Sequence, residues 1–122
     1  SCYSFTVLKM QQEQKISLDK KLKAYIEYLR LEIALNESYE LDAIQVRVFN
    51  EILFGISLGK TLNVGDILSH REIASQATIH AALKKLVASK LVSYRTVRDS
   101  RIKYVEITPL GKKRLAELSK VF

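Results

Sequence analysis

The sequence predicts a mainly α domain with a small β-hairpin wing, arranged as a winged helix-turn-helix. Three observations predict it. From Ser75 to Gly111 a short capped helical pattern runs straight into an alternating, basic hairpin pattern. Longer helical patterns precede that stretch, from Ser17 or Asp19 to about Ser38 and from Asp42 to Gly59. No linker rich in Pro, Gly or Ser and no internal repeat divides the 122 residues, of which 48% are apolar and 27% charged, so the chain reads as one domain able to bury a core.

Residues 1–15 form an amino-terminal arm in which Tyr3, Phe5 and Val7 alternate with Cys2, Ser4 and Thr6, a pattern open to a brief strand or a loose segment. The chain opens on Ser1 instead of Met, which points to processing or trimming. Residues 16–40 are expected as a long helix. Leu18, Leu22, Tyr25, Leu29 and Ile33 fall on one stripe, while Tyr28, Leu31 and Leu35 begin a second. Two apolar stripes call for two packing partners. One is the domain's own core, and the other argues for dimerisation, unless a single domain wraps both.

Residues 41–108 carry the winged helix-turn-helix. Asp42 and Gln45 have the spacing of a capping box, and Ile44, Val48, Phe49, Ile52, Leu53 and Ile56 then make a strongly apolar helix closed by Gly59. Lys60–Leu62 reads as a turn. Asn63 with Asp66 starts a helix that buries Val64, Ile67 and Leu68, and Ile73-Ala74 turns the chain toward Ser75. Ser75 is the N-cap of the next helix. Its apolar face is Ile79, Leu83, Leu86 and Val87, which leaves Gln76, Thr78, His80, Ala81, Lys84 and Lys85 on the face open to a partner. Alternating β-formers from Leu91 to Val97 break at Arg98-Asp99-Ser100-Arg101 and resume through Tyr104, Val105 and Ile107, so the hairpin tip is cationic, with Arg95 and Lys103 beside it. Residues 109–122 are a last helix that Thr108 caps and Pro109 starts, with Leu110, Leu115, Leu118 and Val121 on its apolar side, packed beside the first helix. The expected dimer interface is Leu18, Leu22, Tyr25, Leu29, Leu118 and Val121.

The net charge of +7 is unevenly placed. Lys60 to Phe122 hold 13 Lys or Arg against 5 Asp or Glu, giving +8, whereas residues 1–59 carry 7 against 8, giving −1. Clustered cations repel one another unless a polyanion offsets them, so the basic half is expected to meet double-stranded DNA, with a merely solvated basic face as the alternative. In a helix-turn-helix the first residues of the second helix lie deepest in the major groove. Gln76, Thr78 and His80 are therefore the expected base readers, and Lys84 a backbone contact.

Thr78-Ile79 in an S-x-x-T setting, Leu83, Leu86, Leu91-Val92, the D-x-R of Asp99 and Arg101, and the I-T-x-x-G of Ile107, Thr108 and Gly111 together resemble the multiple-antibiotic-resistance regulator (MarR) family. The resemblance covers Asn63 to Leu115. It implies a transcriptional regulator, more often a repressor, that acts as a homodimer on a pseudo-palindromic operator. It also implies that Arg101, held by Asp99, enters the minor groove, and that a small-molecule effector pocket lies between the dimerising helices and the DNA-binding lobe, with Tyr25, Tyr28 and Phe49 as candidates to line it or, as aromatics at helical spacing more often do, to fill the core. Two departures stand out. Lys90 occupies a position where a helix-ending Gly is common, and the chain stops soon after Gly111, where the family continues into longer dimerising helices.

Other chemistries find little support. The two histidines, His70 and His80, sit ten residues apart with no Cys or H-x-x-x-H partner, so no metal site or cofactor is expected. The four glycines form neither G-x-G-x-x-G nor a Walker pattern, and no catalytic constellation assembles, so the chain does not read as an enzyme. Cys2 is the sole cysteine, which excludes an intramolecular disulfide. No apolar run is long enough to span a bilayer and no leader pattern opens the chain, so a cytoplasmic protein without membrane partners is expected. Lys112, Lys113 and Arg114 read as a solvated helix face or as phosphate contacts. A winged-helix protein-docking module, and an architectural or replication-associated DNA binder with little sequence choice, remain as alternative functions.

Overall fold

The computed structural model describes residues 19–122, so the amino-terminal arm and Leu18 lie outside the described residues. Helix α1, Lys20–Ser38, starts where the Asp19 carboxylate accepts from the Leu22 N–H at 2.9 Å. Helix α2, Ala43–Ser57, has the reciprocal Asp42–Gln45 capping box that the sequence predicts. Its end is a Schellman turn. Gly59 takes φ +74, so the Gly59 N–H reaches the Ile56 carbonyl and the Lys60 N–H reaches that of Gly55. Helix α3, Val64–Leu68, is one short turn closed by the Asn63–Asp66 capping box. Helix α4, Gln76–Ala88, begins where the Ser75 hydroxyl accepts from the Thr78 N–H.

The wing follows at once. Strands β1, Val92–Thr96, and β2, Lys103–Ile107, pair antiparallel with Val92 opposite Ile107 and Thr96 opposite Lys103. The segment expected only as a turn does more than reverse the chain. Leu62 accepts from the Val105 N–H at 2.8 Å and Asn63 bridges Tyr104, so the run after α2 acts as a third strand edge that ties the wing to the helical body. Helix α5, Pro109–Ser119, starts from the Thr108 cap.

The core lies between α2 and α4. Val48, Phe49 and Ile52 meet Ile67, Ile79, Leu83 and Leu86, and Leu91, Val92 and Val105 carry the packing into the wing. Each of these side chains contributes about 1.5–3 kcal/mol by leaving water, which fixes α4 against the rest of the domain. Lys90 answers the first departure from the family pattern. It adopts φ +64 at the end of α4, and the Lys90 and Leu91 N–H groups reach the Val87 and Leu86 carbonyls, so a lysine occupies the left-handed position usually given to glycine. Gly111 has no such latitude. A Cβ there would stand 2.4 Å from the Leu91 carbonyl oxygen and 2.7 Å from Ile107 Cγ2, a steric reason for the glycine in I-T-x-x-G.

The structure corrects or decides three expectations. Leu118 is 6% exposed within this chain and so is not available to a dimer interface. Arg114 is not a solvated cation. It falls on the same helical face as Gly111 and Leu118, is 2% exposed, donates from Nη2 to Asn36 Oδ1, and stacks 5.3 Å from the Phe49 ring centroid. Burial lowers its pKa from the usual guanidinium value, with nearby Glu32 acting in the opposite sense. Of the two readings open for Phe49, the core holds: it is wholly buried and does not line an effector pocket.

On α1 the two stripes behave differently. Tyr28, Leu31 and Leu35 are half-buried toward α5, and Tyr28 meets Phe122 at 5.7 Å between ring centroids. Leu22, Tyr25, Ile26, Leu29 and Ile33 are exposed, Tyr25 by 50% and Ile33 by 60%.

Candidate nucleic-acid interface

Helix α4 sorts its residues by period. Ile79, Ala82, Leu83 and Leu86 anchor it to the core, so Gln76, Thr78, His80, Ala81, Lys84 and Lys85 all face outward and are exposed. Ser75 is also exposed. Its hydroxyl is committed to the cap, accepting from the Thr78 N–H and donating to the Thr78 hydroxyl oxygen at 3.0 Å. Gln76, next to the cap, makes no side-chain hydrogen bond among the described residues.

The wing stands against the exposed face of α4. His80 from the helix, Arg101 and Lys103 from the wing, and Asn63 and Tyr94 beside them line one cleft of about 310 Å³. Lys103 is steadied there, its Nζ 5.1 Å from the Tyr94 ring centroid. Burial raises the Tyr94 pKa above the ordinary phenol value. Asn63 and Tyr94 were not among the expected site residues. Asn63 has an unambiguous role as a cap and Tyr94 one as a strand former, and only the packing of α3 against β2 turns either toward the cleft.

Arg95 departs from expectation. Alternation along β1 turns it to the opposite face of the hairpin, where its Nε lies 2.6 Å from Glu106 Oε1 and its guanidinium 4.9 Å from the Tyr104 ring centroid. There it faces Lys60, Lys112 and the end of α2, and its charge is locally offset. The expected Asp99–Arg101 pair is likewise not formed among the described residues. Asp99 takes φ +63 at the hairpin tip, with the Ser100 N–H bonded to the Val97 carbonyl and the Ile102 N–H to the Ser100 hydroxyl. Ser100, and not Asp99, makes the hydrogen bonds that organise the tip. Arg98 and Arg101 are exposed with no carboxylate partner among the described residues.

A second group of polar residues gathers at the turn of the helix-turn-helix itself. Glu51 from α2 and His70 and Glu72 from the turn before α4 converge, with His70 Nδ1 at 2.7 Å from Glu72 Oε1 and 3.8 Å from Glu51 Oε2. The His70 hydrogen bond holds the Glu72 carboxyl below its ordinary pKa. The residues are up to 21 positions apart, and spacing rules that look for near neighbours pass over them.

No helix among the described residues is long and apolar enough to cross a membrane. No family model matches the chain, and no curated protein matches it. Among solved structures it is similar to a mutant MepR from a multidrug-resistant S. aureus clinical isolate, with 20% identity and a TM-score of 0.56 over 98% of this chain and 75% of that one. It is also similar to AbfR in its disulfide-formed state, with 18% identity and a TM-score of 0.56 over 93% of this chain and 77% of that one. Identities this low speak to architecture alone, and with the element order and wing described above they establish that the chain has the winged helix-turn-helix fold.

Proposed function

We propose that this protein is a sequence-specific, DNA-binding transcriptional regulator of the MarR type, acting as a homodimeric repressor on a pseudo-palindromic operator. The observation that carries the reading is the shared cleft of α4 and the wing. His80, Arg101 and Lys103 converge there beside the outward face of Gln76, Thr78, Ala81, Lys84 and Lys85. An exposed polar helix flanked by a cationic hairpin suits a major groove and the adjoining backbone or minor groove, and the +8 charge of Lys60 to Phe122 is the electrostatic footprint such binding needs. The motif resemblance from Asn63 to Leu115 and the fold shared with MepR and AbfR point the same way.

Dimerisation rests on α1. Leu22, Tyr25, Ile26, Leu29 and Ile33 form an exposed apolar stripe that a second copy would cover, placing two α4 helices about 34 Å apart in successive major grooves. Selection of bound duplexes from a random pool, followed by titration of the winners, tests the whole reading. A palindromic consensus bound by a dimer is expected. Enrichment of no sequence would indicate an architectural binder, and no DNA retention at low salt would favour the docking module.

A further inference from the structure

We infer that Glu51, His70 and Glu72 form a binding site for one zinc-like divalent cation, located between α2 and the turn that leads into α4. The argument begins with the imidazole. A neutral histidine carries at most one proton on Nδ1, and two carboxylates from different elements converge on that single atom. Glu72 at 2.7 Å takes the hydrogen-bonding position, and Glu51 at 3.8 Å lies beyond hydrogen-bond reach of the same nitrogen. One proton therefore serves one of the two acids, whereas a divalent cation would bind all three groups and offset both carboxylate charges.

The geometry allows it. All three ligand atoms lie within 4.8 Å of one another. Metal–ligand bonds near 2.1 Å would set them about 3.0–3.4 Å apart, so each histidine distance would change by roughly half an ångström, and the two carboxylates, at most 4.8 Å apart, would close by rotation of the exposed Glu72 side chain. The set is also more than a chance group of surface acids. Glu51 is only 17% exposed and anchored on α2, and Arg47 stands 3.9 Å from its other oxygen, where it would orient the carboxylate from outside the coordination shell. One imidazole with two carboxylates favours zinc and its first-row neighbours over magnesium, which prefers oxygen alone, and the remaining positions would be filled by water. A bound ion would tie Glu51 to the turn three residues ahead of Ser75 and so fix the entry into α4.

The proposal does not depend on DNA binding and is tested without it. The full chain carrying Cys2→Ser, which removes its only thiol, is titrated with Zn²⁺ calorimetrically and with Co²⁺ by visible absorption. One ion per chain is expected, with Zn²⁺ tighter than Mg²⁺ and a melting temperature that rises with Zn²⁺. Glu51→Gln, His70→Gln and Glu72→Gln should each weaken Zn²⁺ at least about tenfold and cancel the thermal shift, while His80→Ala should change neither. Glu72 is exposed, so its variant reports on the site even if substitution at Glu51 unfolds the protein. Zn²⁺ affinity weaker than about 1 mM, binding unchanged in Glu72→Gln, loss of binding in His80→Ala, or Mg²⁺ binding as tight as Zn²⁺ would each overturn the assignment.

Discussion

Arg101 and Arg95 sit on the same hairpin and carry the same charge, so replacing each by alanine isolates the effect of position. Arg101 lines the cleft with His80 and Lys103 and has no carboxylate partner among the described residues. Binding DNA would cost it little beyond side-chain ordering, and its loss should remove one full contact, about 1–3 kcal/mol, a rise in Kd of roughly 5- to 150-fold. Arg95 lies on the other face, 2.6 Å from Glu106 and stacked on Tyr104. Reaching DNA would require it to give up both interactions. Arg95→Ala should therefore change affinity by less than about 0.5 kcal/mol, through a small loss of long-range attraction. Fluorescence anisotropy on a selected duplex at several salt concentrations measures both variants, and the salt slope should fall by about one unit for Arg101→Ala and hardly at all for Arg95→Ala. Equal losses for the two variants, or a folded Arg101→Ala protein that binds as tightly as its parent, would refute the assignment of the cleft-facing side of the wing to DNA.

Helix α4 should show a second division of labour: Gln76→Ala is expected to cost about 1–3 kcal/mol on the selected operator and little on random DNA, while Lys84→Ala weakens both, with equal losses on the two duplexes ruling out base reading by Gln76. Leu29→Asp, on the exposed stripe of α1, should shift the light-scattering mass from dimer to monomer at tens of micromolar without unfolding the domain, and an unchanged mass would place the interface elsewhere. Gly111→Ala should lower stability by about 1–3 kcal/mol despite alanine's better helix propensity, because the added Cβ meets the Leu91 carbonyl at 2.4 Å, and chemical denaturation showing no loss would contradict the close approach. Lys90→Gly should act in the opposite direction, raising stability by about 0.5–1 kcal/mol by relieving a left-handed lysine at φ +64.

Features set by short-range chemistry were readable from the order of the amino acids. Asp42 with Gln45, Asn63 with Asp66, Ser75, and Thr108 before Pro109 each mark a helix start, because a cap needs only partners two or three residues away. The outward face of α4 was legible for the same reason, since helical period and a few large apolar residues fix which side is buried. Features that depend on residues distant in the chain emerged only with the packing. Arg114 is buried because Asn36, 78 residues away, and the Phe49 ring receive it, and Leu118 is covered within the same chain because α5 packs beside α1. The hairpin was evident from alternation, yet which face turns inward depends on the burial of Val92 and Val105 against the helical core, and this separates Arg95 from Arg101. Glu51, His70 and Glu72 meet only because the turn before α4 lies against α2, a packing contact that carries no short-range signature.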